Sequence, residues 1–312
     1  MPRRSAPHAR APGRGRAKGF AQPAHAAHPA GAAARRQPTE TPWDRASRWY
    51  DNLVGERGSE FQQAVVIPGA VRLLAVKKGE KLLDLACGQG VLSRALHDQG
   101  AMVTGVDLSE QLIEFARARS ARGIRYLVGD ATHLAALPSG EFDAVACVLA
   151  LQNMEAPQSA LGEVARLLRP GGRLVAVVMH PAFRIPRQTR WGWDEERKLL
   201  FRQVDRYLSP LKIPVDVRPF HSPGKTRTWT YHRPLQDYVK ALTDNGLVLN
   251  AVEEWPSHKT SQPGPAADAE NRARQEFPLF LAFRALKPES SAHLSTSEGS
   301  DHAAAQTQSP RP

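Results

Sequence analysis

Three aspartates stand at or near the ends of three successive apolar runs, and a glycine-rich turn follows the first of them. Asp84 lies in the run that leads into Gly88 and Gly90, and Asp107 and Asp130 close the second and third runs. Glycines let a ligand approach the backbone where side chains would collide, and the helix after such a turn presents free N–H groups at its start. Carboxylates accept hydrogen bonds from hydroxyl and amino groups. These residue types in this order predict a site for an adenosine-containing cofactor.

Each carboxylate has a place in such a site. Asp107 is placed to accept hydrogen bonds from both ribose hydroxyls, and Asp130 can take the adenine amino group while Ala131 offers its N–H to a ring nitrogen. Taken singly, each aspartate could instead cap a helix. A nicotinamide dehydrogenase would share the turn and Asp107. However, the helix runs on through Val91 without the third glycine of the dinucleotide fingerprint, which disfavours a pyrophosphate there.

The elements that must position these residues alternate along the chain. Continuous apolar runs predict strands that are covered on both faces, which is typical of a parallel sheet with crossover helices. Strands are predicted over Lys81–Ala86, Met102–Val106, Ile124–Val128, Phe142–Leu149, Arg173–Met179, Leu247–Glu253 and Phe277–Leu286. Helices are predicted within Glu60–Val76 and over Val91–Asp98, Ser109–Arg122, Ala156–Leu168 and Leu235–Asn245. The fold class is therefore α/β, a Rossmann-like doubly wound sheet.

Two segments interrupt this alternation. Residues 184–228 are rich in Trp, Arg and Pro and predict an insertion over the C-terminal edge of the sheet, after the fifth strand. Trp255–Arg274 predicts a polar loop long enough to border a site.

The ends of the chain differ in composition from the 43–286 domain. Residues 1–40, rich in Ala, Pro and Arg, and residues 289–312 have little to bury and are predicted to be disordered tails. Much of the formal net charge of +11 comes from the first tail, so nucleic acid is not the expected partner of the folded domain. The basic tail is read as an unstructured extension, with a nucleic-acid arm or an organelle presequence as alternatives.

Membrane and metal functions find no support in the sequence. No run approaches the roughly 20 apolar residues of a membrane-spanning helix. Cys87 and Cys147 lack metal-type spacing, so we expect no metal, free thiols, and a reducing, cytoplasmic compartment.

The combined motifs resemble the class I S-adenosylmethionine-dependent methyltransferases of the small-molecule, type 11/25-like group. The glycine-rich motif is Asp84–Gly90, the acidic motifs are Asp107 and Asp130-Ala131, and the turn after the fourth helix is Leu168–Gly172. The resemblance covers residues 43–286. It implies S-adenosylmethionine as cofactor and a sheet of seven strands, the last one, Phe277–Leu286, antiparallel. It also makes the 184–228 insertion a substrate lid.

The same resemblance implies which residues bind the cofactor. Gly88 and Gly90 would flank its methionine part, Asp84 would lie near its amino group, and Tyr50 belongs to a segment that resembles an N-terminal lid. Simple core packing is an equal alternative for Tyr50. The full implied set is Tyr50, Asp84, Ala86, Cys87, Gly88, Gly90, Asp107, Leu108, Asp130, Ala131, Val148 and Leu149.

The methyl acceptor is expected to be a small molecule. In-line transfer from a sulfonium depends mainly on alignment, and a base can assist when the acceptor carries a proton. His180 directly follows the fifth predicted strand and is a candidate base or substrate contact, and Tyr231 lies ahead of a helix in a segment that resembles a lid. Either could instead be structural. Trp191, Trp193 and Trp229 could wall an apolar acceptor or form a small core of their own.

Other functions stay open at this point. An RNA or protein methyltransferase is one alternative, although the stretch Leu151-Gln152-Asn153-Met154 lacks the Asn-Pro-Pro-aromatic signature of enzymes that methylate base amino groups. A protein that binds the cofactor without transferring its methyl group is another. The sequence predicts no particular oligomeric state.

Overall fold

One twisted sheet contains the apolar runs of the chain. The computed structural model describes residues 40–217 and 226–289. The sheet consists of β1 (Lys81–Leu85), β2 (Met102–Asp107), β3 (Arg125–Val128), β4 (Phe142–Val148), β5 (Leu168–Met179), β10 (Val248–Trp255) and β11 (Phe280–Leu286). Their spatial order is β3-β2-β1-β4-β5-β11-β10. The first five strands pair in parallel, and β11 runs antiparallel to both of its neighbours. The predicted fold class, with seven strands and an antiparallel last strand, is confirmed.

Helices cover both faces of this sheet, as the continuous apolar strands require. The helices are α1 (Pro42–Val54), α2 (Ile67–Leu74), α3 (Val91–Asp98), α4 (Glu110–Arg119), α5 (Pro157–Leu167), α6 (Leu235–Asp244) and α7 (Ala267–Glu276). A π-helical turn, Gln62–Val66, leads into α2, and a 3₁₀ turn, Leu151–Asn153, follows β4.

Successive residues of β1 enter two separate cores. Leu83 and Leu85 pack on the face covered by α5 and α6, while Leu82 packs with α2 and α3 on the opposite face. All three side chains are fully buried. Each such burial stabilises the fold by about 1.5–3 kcal/mol. This two-sided burial holds the C-terminal edge of β1 in place, where the glycine-rich turn begins.

Helix α1 begins at a complete capping box. The Thr41 side chain accepts a hydrogen bond from the Asp44 N–H, and the Asp44 carboxylate accepts from the Thr41 N–H. Pro42 occupies the first turn, where its missing N–H has no consequence. Tyr50 therefore lies within a helix, ahead of the predicted helical segment Glu60–Val76.

The inserted segment folds as two β-hairpins outside the main sheet. Strands β6 (Thr189–Asp194) and β7 (Leu199–Val204) form one, and β8 (Leu211–Val217) and β9 (Thr226–His232) form the other. Strand β9 runs past residue 228, so the insertion extends further than its predicted end. Trp191 packs edge-on against Phe277 and lies partly exposed.

The prediction of a loop over Trp255–Arg274 was wrong for its second half, because α7 occupies Ala267–Glu276. This helix has one buried residue, Ala273, so it left no apolar period in the sequence. Its charges suit a helix instead: Asp268 and Glu270 lie in the first turn and Arg274 in the last. Glu270 and Arg274 also pair across one turn.

The predicted disordered tails lie outside the described residues, except for Glu40 and Glu289. Within the described ranges, no helix is both long enough and apolar enough to cross a membrane.

Candidate functional site

A cavity of about 450 Å³ opens at the C-terminal edge of β1 to β4. Nine of the twelve residues predicted to bind the cofactor line it: Tyr50, Ala86, Gly88, Asp107, Leu108, Asp130, Ala131, Val148 and Leu149. The carboxyl ends of parallel strands meet at one edge of a sheet, so residues far apart in sequence converge there. Gly88, Asp107 and Asp130 thus lie around one cavity.

The backbone at the cavity edge adopts left-handed conformations. Gly88 has a φ of 56°, and two non-glycine residues, Ala86 and Leu149, have φ values of 57° and 56°. Such conformations cost roughly 1–3 kcal/mol each for residues other than glycine and occur preferentially at binding sites. A Cβ added to Gly88 would meet only the Tyr50 ring, at 3.4 Å. The Tyr50 ring therefore lies at van der Waals contact distance from this position, with no side chain of residue 88 between them.

Asp107 is held by backbone donors on both of its oxygens. Its Oδ2 accepts the Gly88 N–H at 2.8 Å, and its Oδ1 accepts the Ser109 N–H at 2.9 Å. The side chain is 8% exposed, and burial raises its pKa. Each carboxylate oxygen can accept a further hydrogen bond. The two backbone contacts fix the orientation of a carboxylate that still faces the cavity.

Asp130 is anchored through one oxygen only. Its Oδ1 accepts both the N–H and the hydroxyl of Thr132, at 2.9 and 2.8 Å. The carboxylate is exposed to the cavity, with the buried Ala131 beside it in the wall. Its second oxygen has no hydrogen-bond partner among the described residues and is available to an amino donor.

Three predicted cofactor residues do not line the cavity. Asp84 is 2% exposed, and its Oδ2 accepts the Ser93 hydroxyl at 2.6 Å. Burial raises the pKa of Asp84 to about 7, partly offset by the Ser93 hydrogen bond and increased by the charge of Asp107. Burial likewise raises the pKa of the Cys87 thiol. Asp84 therefore lies behind the turn, away from the cavity wall.

Gly90 has a packing role rather than a place in the cavity wall. Its φ is 81°, and an added Cβ would lie 2.4 Å from the Tyr126 hydroxyl and 3.2 Å from the Ala116 Cβ. Residue 90 must therefore be glycine, because the Tyr126 ring packs against it behind the turn. That Gly90 flanks the methionine part of the cofactor stays a prediction, because Gly90 is not among the residues that line the cavity.

Helix α1 covers the cavity and is tied down by polar contacts. The Asp44 carboxylate accepts a hydrogen bond from the Ser109 hydroxyl at 2.6 Å. Asp51 forms an ion pair with Arg119 of α4, in which Arg119 Nη2 lies 2.7 Å from Asp51 Oδ2. These contacts hold the Tyr50 ring over the glycine turn. Burial, together with the charge of Asp107, raises the pKa of Tyr50 to about 12.

The end of the fourth predicted strand, Val148–Asn153, which the family resemblance places beside the cofactor, also contributes Ala150 and Asn153, and Trp229 lines the cavity as well. The sequence did not indicate the other lining residues, which are Pro42, Trp43, Val106, Leu112, Gly129, Thr132, Met154, Glu155, Ala156 and Thr228. Trp43 contacts the Tyr50 ring edge-on, with 6.0 Å between the ring centroids. An aromatic pair seven residues apart on one amphipathic helix was the available sequence signal. Thr228 and Trp229 belong to β9, whose position no local pattern indicated.

His180 lies in the wall of a second cavity, of about 320 Å³, and not in the wall of the first. Its Nδ1 accepts hydrogen bonds from the backbone N–H groups of Ala182 and Phe183, at 3.2 and 3.4 Å. The ring proton is therefore on Nε2, which donates a hydrogen bond to the Glu254 carboxylate at 2.7 Å. The side chain is 5% exposed, and burial lowers its pKa. Neither ring nitrogen has a free lone pair, which argues against the predicted role as a base.

Tyr231 lies between the two cavities and lines both. Arg233 and Lys212 stack against its ring, at 5.0 and 5.4 Å from the centroid. Gln152 lines the second cavity and its neighbour Asn153 lines the first. A molecule in the second cavity would therefore approach the first at Tyr231.

The first cavity fits an adenosyl sulfonium. Two carboxylates, Asp107 and Asp130, line it and can accept hydrogen bonds from a ribose and an adenine, and Gly88 lines it without a side chain, so a ligand can approach the backbone there. The charge of Asp107 adds to burial in raising the pKa of Asp84. A ligand that carries positive charge relieves this repulsion, because it favours the ionised carboxylates.

Comparison with known proteins decides the family. Residues 83–176 match the family described as methyltransferase domain. The chain is 33% identical over 171 residues to the ubiquinone biosynthesis O-methyltransferase of Aromatoleum aromaticum. The aligned residues make up 52% of this chain and 70% of that protein. The chain belongs to the class I S-adenosylmethionine-dependent methyltransferases.

Other relatives agree with this methyltransferase assignment. The ubiquinone biosynthesis O-methyltransferase of Thiobacillus denitrificans is 37% identical over 134 residues, which span 41% of this chain and 56% of that protein. A crystal structure of an S-adenosylmethionine-dependent methyltransferase from Mesorhizobium loti is 30% identical, with a TM-score of 0.56 over 74% of this chain and 100% of that one. The chain thus spans little more than half the length of the Thiobacillus denitrificans relative. S-adenosylmethionine is the cofactor of this methyltransferase.

Proposed function

We propose that this methyltransferase transfers the methyl group of S-adenosylmethionine to an oxygen atom of a small molecule. The observation that carries the proposal is the pair of adjoining cavities, which share Tyr231. The second cavity, at about 320 Å³, has the size of a small-molecule site. The relatives named O-methyltransferase support oxygen as the acceptor atom.

The protein's contribution to the reaction is alignment. When bound, the cofactor supplies a methyl group on a positively charged sulfur, which leaves as a neutral thioether. Asp107 would hold the ribose, Asp130 and Ala131 the adenine, and the turn at Gly88 the methionine chain. Holding both partners in line is worth up to about 7–11 kcal/mol of the barrier.

Closure over the site comes from two sides. Helix α1 places Trp43 and Tyr50 over the cofactor cavity, and strand β9 places Trp229 and Tyr231 in its wall. We therefore propose the two hairpins as the substrate lid that the sequence predicted. Excluding water there protects the alignment of donor and acceptor.

The acceptor must lose a proton when its oxygen gains the methyl group. Tyr231 stands at the junction of the cavities, and Glu155 lines the cofactor cavity beside it. The Lys212 ammonium, at 2.9 Å, lowers the pKa of Glu155 and keeps it ionised. We propose Tyr231 as the acceptor contact and the ionised Glu155 as the group that takes the hydroxyl proton, directly or through water. His180, predicted as a base or substrate contact, would instead position the wall of the second cavity.

The proposed setting is the cytoplasm. Both cysteines are free thiols, which fits a reducing compartment. The folded domain is proposed to act without nucleic acid, since most of the basic excess precedes residue 40.

Incorporation of a labelled methyl group tests this function. The full-length protein is incubated with tritiated S-adenosylmethionine and a deproteinised small-molecule extract, or with the macromolecular fraction of the same cells. We expect label in the first reaction, in a product that is stable to base as a methyl ether is. Label found only in RNA or protein, or in neither fraction although the cofactor binds, would overturn the proposal.

A further inference from the structure

The second cavity has a cationic wall. Its lining includes four arginines, namely Arg184, Arg187, Arg202 and Arg233. Two histidines, His180 and His232, also line it, but burial lowers their pKa values and favours the neutral form. No aspartate or glutamate is among the described residues that line it. The arginines come from three separate segments: the chain after β5, strand β7, and the turn before α6. Only the tertiary fold brings these charges together.

The protein supplies neutral partners to these guanidinium groups. Arg202 donates from Nε to the Phe183 carbonyl at 3.1 Å and from Nη2 to the Thr189 hydroxyl at 2.6 Å. Arg233 donates from Nη2 to two backbone carbonyls, at 2.8 and 2.9 Å. Within residues 40–217 and 226–289, no ion pair joins a carboxylate to any of the four arginines. The charge of Arg233 helps to lower the pKa of Glu155 in the neighbouring cavity. No carboxylate of the described residues forms an ion pair with Arg184, Arg187 or Arg202 at the cavity wall.

Two of the arginines also repel each other. Burial lowers the pKa of Arg184, and burial together with the nearby charge of Arg184 lowers the pKa of Arg202. Arg184 is exposed and Arg202 is half-buried, so water screens part of this repulsion. An anion between them would reduce it further, because a guanidinium binds carboxylate or phosphate oxygens with charge-assisted hydrogen bonds.

Polar atoms without partners lie in the same wall. Gln152 is 8% exposed, its Nε2 donates to the Leu149 carbonyl at 2.8 Å, and its Oε1 accepts no hydrogen bond. Nη1 of Arg233 is buried and also has no partner. A buried polar group without a partner costs about 1–3 kcal/mol. Both residues line the cavity, although these two atoms are themselves buried in its wall.

We propose that this cavity binds an anionic oxygen group, a carboxylate or a phosphate, carried by the methyl acceptor itself. The arginines hold the anion, and Met179 and Ile185 provide apolar contact for the body of the molecule. A molecule held in this way extends past Tyr231 toward the cofactor cavity. The substrate class is a small hydroxylated organic acid or phosphate ester, and this inference rests on the proposed function.

Calorimetric titration of the full-length protein with three related probes tests the inference. The probes are 4-hydroxybenzoate, 4-hydroxyphenyl phosphate and the neutral 4-hydroxybenzamide. We expect at least one anionic probe to bind roughly tenfold or more tightly than the amide, and its affinity to fall with rising salt. The tighter of the two anions identifies carboxylate or phosphate. Equal affinities for anions and amide, or no binding of either anion at millimolar concentration, would overturn the inference.

Matched variants locate the effect. Arg184→Gln removes a guanidinium that makes no hydrogen bond within the described residues, so we expect it to fold and to weaken anion binding about tenfold while leaving amide binding unchanged. Arg190→Gln is the control, because Arg190 pairs with Gln203 and Asp205 outside the cavity. Equal effects of the two variants would refute the assignment.

Cofactor titration on the same samples separates the two proposals. Tight S-adenosylmethionine binding without anion binding overturns only the inference about the second cavity. Anion binding in a protein that fails to bind S-adenosylmethionine overturns the proposed function, and with it the role of the anion as part of a methyl acceptor.

Discussion

Replacing Asp107 is the sharpest perturbation of the cofactor site. Asp107→Asn keeps the shape of the side chain and removes its charge. The carboxylate accepts the N–H groups of Gly88 and Ser109 at 2.8 and 2.9 Å, and an amide can accept only one of them through its oxygen. The amide nitrogen then faces an N–H donor. Both the stability of the turn and its affinity for a ribose are expected to fall.

The magnitude follows from the number of contacts. A hydrogen bond to a charged group contributes about 1.5–3 kcal/mol, so losing one ribose contact weakens S-adenosylmethionine binding roughly 10- to 150-fold. The backbone N–H left without an acceptor costs a further 1–3 kcal/mol, approximately, in folding stability. Asp107→Ala removes both contacts and is expected to reduce affinity by more than Asp107→Asn does.

Isothermal calorimetry with S-adenosylmethionine measures the affinity, and urea denaturation of the same samples measures stability. Asp143→Asn is the matched control. Asp143 also accepts a backbone N–H, from Lys81 at 2.8 Å, but it lies at the opposite end of the sheet and pairs with Arg169. We expect this control to lose stability without losing cofactor affinity. A folded Asp107→Asn protein with wild-type affinity would refute the assignment of Asp107 to the ribose.

Three further outcomes are expected. Gly90→Ala should lose roughly 1–3 kcal/mol of unfolding free energy, measured in urea, because the added Cβ would lie 2.4 Å from the Tyr126 hydroxyl. Gly79→Ala is the control, since Gly79 also has a positive φ, 83°, but has open space around it, so this variant measures the backbone strain alone. Equal losses in the two variants would argue against the clash. The raised pKa of Asp84, about 7, means that its contribution to stability is full below the unfolded value of 3.8 and is lost as pH rises through about 7. The stability of Asp84→Asn relative to wild type should therefore rise by on the order of a few kcal/mol over that range, and a constant difference would contradict the shift. His180→Gln should lower stability and keep the pH profile of turnover on the identified acceptor, whereas loss of the acidic limb would make His180 the base after all.

Much of the fold could be predicted because its signals are local. The strands β1 to β5 are continuous apolar runs, and their predicted bounds differ from the observed ones mostly by one or two residues at the ends. The hairpins were not predicted as strands, since Thr189–Asp194 and Thr226–His232 alternate without a buried apolar face. Helix α7 was missed for a related reason. It buries only Ala273, so its sequence shows no helical repeat of apolar residues, and its charged residues stabilise it instead.

The cofactor cavity was predictable in outline, and the exceptions have a physical cause. Sequence position indicates that Asp84 and Gly90 lie at the turn, but not which way each of them faces. Side chains alternate across a strand, so Asp84 points behind the turn toward Ser93. Gly90 lies against Tyr126, a residue of another strand whose ring no local pattern brings there.

The sequence by itself determined the order of strands and helices, the acids at the strand ends and the class of cofactor, because these depend on short-range spacing and residue chemistry. Only the tertiary structure decided that His180 stands apart from the cofactor cavity. It alone brought Arg184, Arg202 and Arg233 around one space. Those residues are far apart in the chain. They converge only because the hairpins pack over the sheet, and that packing depends on side chains from distant segments being buried together.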